Sequence, residues 1–253
     1  MKKIESLSNQ EIKETAKLAQ KKYRNAQGLF LLEGYKPIFE AFSEGVGIKT
    51  VYTTEENLSK FDFINEKITL VTEPVLEKIS TTESMPEAVA VGRQRAFKIE
   101  ELKEKRRIAL LENIKDAGNL GTILRSAAAF GFDGVVLAGD TIDIYNPKVV
   151  RSAVGGLFKL PVVKVNSLND AKFDGFKYIA SVVNRENVKN PEKIDYSAPF
   201  VLMLGSEADG LTEEAVKMAD ILTTIPISEK TESLNLSCAA SILFYISSNL
   251  VSP

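Results

Sequence analysis

Three polar segments that follow apolar runs carry the residue types that could do chemistry. The first, NIKDAGNLGTILR at 113–125, has Gly118 and Gly121 to allow tight turns and Asn119 and Arg125 at the start of a helix. Arg125 could hold a phosphate through two parallel hydrogen bonds. The spacing is neither GxGxxG nor GK[ST], so the dinucleotide and P-loop fingerprints are absent. Taken alone, the segment is more typical of a capped helix with one solvated arginine.

The second segment, LGSEADGL at 204–211, ends another apolar run. In open α/β sheets, ligands bind at the carboxyl ends of strands, which makes its polar residues candidates. Gly205 predicts a close approach of a ligand to the backbone, Glu207 places a carboxylate at the sheet edge, and Gly210 closes a turn. A plain loop between strand and helix is the alternative.

The third segment, IPISEKTESLNLSCAAS at 225–241, leads into a long apolar helix. Ser233 and Asn235 lie at the predicted helix start, where free N–H groups and the positive end of the dipole meet an anion. Capping a helix needs only one such residue, so Ser233 and Asn235 together are more than a cap requires. Cys238 is interpreted as a small core residue and not a nucleophile, because it lies in an apolar run.

The composition excludes several classes of site. The 253 residues include no histidine and one cysteine, which rules out a Ser-His-Asp triad, histidine-ligated metals, a cysteine-rich zinc site and an intrachain disulfide. We therefore expect no metal. Apolar runs are far shorter than the roughly 20 residues of a membrane span, and no apolar stretch follows the charged N-terminus. The sequence predicts a cytoplasmic protein without a membrane partner.

The pattern of apolar runs predicts two α/β domains. Residues 1–98 alternate short helices and strands, residues 99–106 form a charged linker, and residues 107–253 contain six nearly continuous apolar runs separated by helices. Continuous runs are typical of strands buried on both faces of a parallel sheet. Predicted helix caps include Ser8 with Glu11, and also Asn119, Asn146 and Thr212.

Basic residues near the N-terminus form a candidate nucleic-acid surface. A net charge of −2 argues against indiscriminate nucleic-acid binding, but a local patch is compatible with it. The predicted contacts are Lys13, Lys17, Lys21, Lys22 and Arg24, of which the lysines recur at helical spacing and predict one basic stripe. A solvated helix face is the alternative.

The three segments together resemble a known family. Their order and spacing, N-x-x-D-x-G-N-x-G-x-x-x-R, then L-G-S-E-A-x-G-L, then I-P-I and S-L-N-L-S, are similar to the motifs of the SpoU/TrmH family of the SPOUT class. The stretch NPKVVRSAVGGLFKLPV is similar as well. The segment KKYRNAQGLFLLEGYKPIFEA resembles the small ribosomal-protein-like α/β RNA-binding domain that often precedes this catalytic domain.

The resemblance implies a fold, a cofactor and a partner. The fold would be a mostly parallel sheet flanked by helices, with a deep trefoil knot at the C-terminus, an exception to the rule that chains do not thread loops. The activity would be transfer of a methyl group from S-adenosylmethionine to a ribose 2′-hydroxyl of rRNA, 23S rRNA being favoured, or of tRNA. A homodimer through the C-terminal domain is also implied.

Site roles follow from the same resemblance. Backbone groups of Gly205, Ile225 and Leu234 would hold the cofactor, although Glu229 stands where the family usually has glycine. The ribose would meet a second set of residues, which comprises Asn119, Arg125, Glu207, Ser233 and Asn235.

Mechanistically, the resemblance points to Arg125 at the 2′-hydroxyl. A guanidinium is a poor base, so we expect Arg125 to bind the adjacent phosphate and stabilise a developing alkoxide. Ser233, Asn235 or a phosphate oxygen would assist loss of the proton. Two other classes stay open at this stage: a non-catalytic RNA-binding protein on the same scaffold, and a nucleotide-dependent α/β enzyme, which would need a phosphate loop.

Overall fold

The computed structural model describes residues 1–183 and 185–248. Numbered in chain order, its first part contains β1 (Lys2–Ile4), α1 (Gln10–Lys17), α2 (Lys21–Gln27), β2 (Leu29–Glu33), α3 (Tyr35–Ser43), β3 (Ile48–Thr53), β4 (Ile68–Val71), α4 (Glu73–Ile79) and β5 (Ala88–Arg93). Its second part contains β6 (Arg107–Glu112), α5 (Ala117–Ala129), β7 (Gly134–Ala138), α6 (Pro147–Ala153), α7 (Gly156–Lys159), β8 (Val162–Val165), β9 (Lys177–Ser181), β10 (Phe200–Leu204), α8 (Glu213–Met218), β11 (Ile221–Thr223) and α9 (Leu236–Ser248).

Contacts divide the chain into two units that do not follow its order. Unit 1 comprises Met1–Arg95 and Asp143–Phe158, and unit 2 comprises Ala96–Ile142 and the chain from Lys159 onward. The segment 143–158 therefore packs in unit 1, although β7 before it and β8 after it lie in the sheet of unit 2. No helix among the described residues is long and apolar enough to cross a bilayer.

Unit 2 contains the predicted parallel sheet. Its six strands run in the order β11-β9-β10-β6-β7-β8, and every pairing is parallel. All residues of β7 and β10 are buried, as continuous apolar runs require. The prediction of an α/β fold with a parallel sheet flanked by helices is confirmed, whereas the trefoil knot stays a prediction.

Unit 1 is a mixed five-stranded sheet in the order β1-β4-β3-β5-β2. The edge strand β2 is buried throughout, because α6 of segment 143–158 packs against it. Covering an edge strand with a helix removes a template for aggregation. Helix α2 ends at Gly28, which has a φ of +63°, and the strand LFLLE begins at the next residue.

Two ion pairs hold segment 143–158 within unit 1. Arg24 is 1% exposed, and its Nε and Nη2 donate to Oδ2 of Asp143 at 2.9 and 2.6 Å. Its Nη1 donates to the carbonyls of Leu18 and Ala19. The second pair joins Arg151 to Glu33, which is buried at the end of β2.

These contacts correct the predicted basic stripe in two respects. The helical structure is interrupted between α1 and α2, so the four lysines do not lie on one helix. Arg24 points inward to a carboxylate and cannot contact RNA, because its guanidinium is buried. The helix cap also differs: Asn9, and not Ser8, begins α1 by accepting from the N–H of Glu11 at 2.9 Å.

Replacing Arg24 tests its structural role. Arg24→Ala takes the cation away from the largely buried Asp143 carboxylate, which then keeps the N–H of Tyr145 as a donor, so we expect a loss of about 3–5 kcal/mol in the free energy of unfolding. Urea denaturation measures it, with Lys21→Ala, an exposed residue of the same helix, as the matched control. Equal urea midpoints for the two variants would contradict a structural role for Arg24.

Candidate functional site

The three polar segments meet at one edge of the unit 2 sheet. Strands β6 and β10 are neighbours, with Leu111 opposite Leu204, so segments 113–125 and 204–211 leave the sheet side by side. Segment 225–241 follows β11. In the sheet, β9 lies between β11 and β10. Parallel strands all end at the same edge, which explains why segments about 90 residues apart in sequence converge.

Asn119 is the residue that joins the segments. Its Nδ2 donates to Oε1 of Glu207 at 2.6 Å, and its Oδ1 accepts from Nδ2 of Asn235 at 3.1 Å. Each of the three segments thus contributes one side chain to a single hydrogen-bonded chain. The carbonyl of an amide accepts and its NH2 donates, so the one side chain of Asn119 can bridge a carboxylate and a second amide.

The start of α5 differs from the prediction in a way that frees Asn119. The helix begins at Ala117, and the capping residue is Asp116, whose Oδ1 accepts from the N–H of Asn119 at 2.7 Å. Asn119 is therefore not the cap but lies in the first turn, where its amide reaches Glu207. Gly118 and Gly121 lie inside the helix and form no turn.

Asn235 caps α9. Its Oδ1 accepts from the N–H of Ser237 at 2.9 Å, from the Ser237 hydroxyl at 2.7 Å and from the N–H of Cys238 at 3.3 Å. Both ends of the Asn235 amide are thus occupied. Cys238 is exposed, so its interpretation as a core residue is wrong: it lies on the outer side of α9, while Ser237 beside it is buried.

Helices α5 and α9 pack against each other and keep this geometry in register. The hydroxyls of Ser126 and Ser241 are 2.7 Å apart, and the rings of Phe132 and Phe244 have centroids 4.3 Å apart. Because the helices touch along their length, the position of Asn119 relative to Asn235 is set by packing and does not depend on one bond alone.

Segment 204–211 is folded back on itself. Ser206 and Gly210 exchange two backbone hydrogen bonds of 3.1 and 3.0 Å, and Gly210 has a φ of +67°. A Cβ on Gly205 would lie about 2.0 Å from the backbone of Gly210. The protein's own chain thus takes the space that a Cβ would need, which is a structural reason for glycine here, and the close approach of a ligand to its backbone stays a prediction.

Glu112 was not identified from the sequence. It is 4% exposed at the end of β6, and its carboxylate accepts from the N–H and the hydroxyl of Thr212, both at 2.8 Å. Thr212 in turn caps α8, as predicted. This carboxylate holds the far end of the segment that carries Glu207, and a charged residue closing an apolar strand was the only sequence signal for it.

The remaining candidates have free polar groups. Among the described residues, the exposed guanidinium of Arg125 has no hydrogen-bond or ion-pair partner, and neither has the hydroxyl of Ser233. The peptide groups of Gly205, Ile225 and Leu234 have no backbone partner within the described ranges. Free peptide groups at the ends of strands can bind the polar atoms of a nucleoside cofactor, so these residues fit the predicted cofactor site.

The two functions of Asn235 can be separated. Asn235→Ala removes the cap and should lower the free energy of unfolding by about 1 kcal/mol, whereas Asn235→Ser keeps a capping oxygen and should restore most of it. Urea denaturation of both variants measures this. Equal destabilisation by alanine and serine would mean that the bond to Asn119, and not the cap, carries the stability.

Comparison with known proteins places this geometry in a family. The model of the SpoU rRNA Methylase family matches residues 106–245, and that of the MRM3-like substrate binding domain matches residues 9–90. A 23S rRNA (guanosine(2553)-2′-O)-methyltransferase of Bacillus subtilis is 32% identical over 249 residues, which cover 97% of this chain and 98% of the relative. A 23S rRNA (uridine(2479)-2′-O)-methyltransferase of Streptomyces viridochromogenes is 29% identical, with 91% and 86% covered.

Solved structures agree with the sequence comparisons. An rRNA methyltransferase from Sinorhizobium meliloti with bound AdoMet superposes with a TM-score of 0.88 at 30% identity, covering 99% of both chains. The SpoU methyltransferase AviRb of Streptomyces viridochromogenes, also in complex with AdoMet, gives a TM-score of 0.80 at 25% identity, covering 95% and 97%. The predicted family, enzyme class and cofactor are confirmed. The chain belongs to the SpoU rRNA methylase family.

Proposed function

We propose that this chain transfers the methyl group of S-adenosylmethionine to a ribose 2′-hydroxyl of rRNA, with 23S rRNA favoured over tRNA. The observation that carries the proposal is the chain of hydrogen bonds Glu207–Asn119–Asn235, which joins the three segments at one edge of the sheet. The free guanidinium of Arg125 is on the same helix as Asn119. The 23S rRNA specificity of the named relatives supports the choice of RNA.

The cofactor would lie at the ends of β10 and β11. When bound, S-adenosylmethionine supplies an electrophilic methyl group on a sulfonium. Peptide groups of Gly205, Ile225 and Leu234 are the proposed contacts, and the two strand ends are separated by one strand, or roughly 10 Å, a span that suits a nucleoside. The carboxylate of Glu112 keeps segment 204–211 folded beside this site.

Arg125 is the residue proposed to act on the ribose. It lies six residues along α5 from Asn119, about 9 Å by the rise of a helix, and extends freely from the exposed side. Its guanidinium would bind the phosphate next to the target nucleotide and stabilise negative charge developing on the 2′-oxygen. The oxygen–carbon bond then forms as the sulfur–carbon bond breaks.

The hydrogen bonds already made by the amides of Asn119 and Asn235 limit which group can accept the 2′-proton of the ribose. Asn235 uses both ends of its amide, and Asn119 does the same, which supports a role in positioning for both. Glu207 orients Asn119 by accepting from it. The 2′-proton would therefore pass to a phosphate oxygen of the RNA, either directly or through the free hydroxyl of Ser233, which gives up its own proton as it accepts one.

Arg125→Ala tests the proposal most directly. We expect kcat for transfer of labelled methyl from S-adenosylmethionine to rRNA to fall by roughly 10²–10³-fold, the loss typical of one charge-stabilising donor. Cofactor affinity in calorimetry should not change. The matched control is Lys105→Ala, an exposed cation at the opposite edge of the sheet.

Two results would contradict this function. Near-normal turnover by Arg125→Ala with unchanged RNA affinity would remove Arg125 from the mechanism. Failure of the unaltered protein to bind S-adenosylmethionine would favour a non-catalytic RNA-binding protein on the same scaffold. Mapping of the methylated nucleotide after transfer to total rRNA and tRNA would distinguish the two kinds of RNA.

We also propose a cytoplasmic homodimer that holds its RNA partly through unit 1. The exposed cations Lys13, Lys21 and Lys22 would contact phosphates, with Lys17 contributing although it also pairs with Glu14. The family match of residues 9–90 to a substrate binding domain supports this assignment. The two domains proposed from the sequence, residues 1–98 and 107–253 with a linker at 99–106, would divide substrate binding from catalysis.

The outer side of α9 is the proposed dimer contact. Cys238, Ile242 and Tyr245 recur at spacings of four and three, so they share one face of the helix. Ile242 is 38% and Tyr245 65% exposed, although both side chains are large and apolar in character. Single exposed apolar residues are common, but three on one helical face indicate a partner, and the homodimer implied by the resemblance supplies one.

Ile242→Glu should convert the dimer to a monomer. A carboxylate on this face would be desolvated without a partner, so we expect light scattering after gel filtration to give half the mass of the unaltered protein. Lys217→Glu on α8 serves as a control for added negative charge. A monomeric unaltered protein, or a dimeric Ile242→Glu variant, would rule out this contact.

A further inference from the structure

Unit 1 contains an open pocket of about 810 Å³ that none of the site residues above occupies. It lies beside α1 where the starts of β3 and β4 and the start of the chain come together. Its volume is in the range of small-molecule and cofactor sites. Its apolar lining comes from Leu18, Leu29, Ile68 and Val91.

Buried hydroxyls form the inner wall of this pocket. The Tyr52 hydroxyl is 3.2 Å from that of Thr15 and donates to Oε1 of Glu11 at 2.9 Å. Thr69 is 4% exposed, and Thr50 beside it donates to the carbonyl of Lys67 at 3.3 Å. Burial raises the pKa of Tyr52, so its hydroxyl stays neutral at physiological pH. Because the protons of Tyr52 and Thr50 are donated to Glu11 and to the Lys67 carbonyl, the wall offers uncharged hydroxyl oxygens that can accept from a ligand.

The mouth of the pocket has an excess of free positive charge. Lys2 is paired with Glu11, and Glu14 with Lys17. Lys49 and Lys67 are exposed at the mouth, and within residues 1–183 and 185–248 neither ammonium has a hydrogen-bond or ion-pair partner. Of the three carboxylates that line the pocket, Glu11 and Glu14 are paired with Lys2 and Lys17, which leaves Glu66 against these two cations. An anion at the mouth would therefore be attracted.

We propose that this pocket binds one unpaired nucleotide of the RNA substrate, and this inference rests on the function proposed above. The base would lie between the apolar residues with its polar edge on the hydroxyls of Thr15, Thr50 and Tyr52. Its phosphates would meet Lys49 and Lys67. The apolar residues suit the faces of a base, the neutral hydroxyls suit its polar edge, and the cations at the mouth suit its phosphate. RNA is commonly recognised through unpaired nucleotides held by their bases.

Nucleotide titration tests the pocket without any methyl transfer. AMP, GMP, CMP and UMP are each added to the full ¹⁵N-labelled chain, and amide shifts are followed by NMR. We expect shifts at Thr15, Thr50 and Thr69 that saturate with at least one of the four. Inorganic phosphate is the parallel probe. Shifts of the same size with phosphate alone, or no shifts at these residues, would overturn the inference.

Variants connect the pocket to the RNA substrate. Thr50→Trp fills it from a strand position that tolerates aromatic residues, and Lys49→Glu with Lys67→Glu reverses the charge at its mouth without touching the core. Both should abolish the nucleotide shifts and raise the KM for rRNA about tenfold, the loss typical of one held base, with kcat unchanged. Lys36→Ala, an exposed α3 lysine outside the pocket, should leave the nucleotide shifts intact.

The outcomes separate the two proposals. An unchanged KM in both variants, with normal methyl transfer, would overturn the pocket and leave the proposed function standing. Absence of methyl transfer to any RNA by the unaltered protein would overturn the function, while the nucleotide titration would still decide whether the pocket binds a base.

Discussion

The parallel pairing of β6 with β10 is the constraint on which the site depends. These two strands are the middle of the unit 2 sheet, and their register places Leu111 beside Leu204. Since both strands run in the same direction, the segments that follow them leave at one edge, next to each other. The carboxylate of Glu112 then holds Thr212, so the second segment is fixed at both ends. Glu207 has little freedom left when it meets Asn119.

A chain without histidine must obtain its chemistry from groups that do not titrate near neutral pH. Asn119 and Asn235 are hydrogen-bonded at both ends of their amides, so they are positioning groups, and the guanidinium of Arg125 has no partner among the described residues. Placement of the hydroxyl, the methyl group and a stabilising cation can account for a large part of the barrier, roughly 7–11 kcal/mol in favourable cases. A hydrogen-bonded chain shared by three segments is a physical means of achieving such placement.

Segment 143–158 is connected to one unit of the molecule but packs in the other. It joins two adjacent strands of unit 2 but packs in unit 1 through the pairs Arg24–Asp143 and Arg151–Glu33. Buried pairs contribute little net stability but are costly to break from one side, so they specify one arrangement of the segment. Without residues 143–158, the N-terminal part of the chain therefore lacks the helix that covers its edge strand and the ion-pair partners of its buried Arg24 and Glu33.

The sequence by itself determined the elements and the family. Six apolar runs predicted six parallel strands, because strands buried on both faces cannot alternate, and three ordered motifs indicated the chemistry. Only the tertiary structure decided that Arg24 is buried and that Cys238 faces outward. It also decided that Asp116 and not Asn119 caps α5, and that the backbone of the same segment occupies the space a Cβ on Gly205 would need. These depend on which group lies opposite in space. Local spacing carries no information about a carboxylate more than 100 residues away, and that is where Arg24 finds its partner.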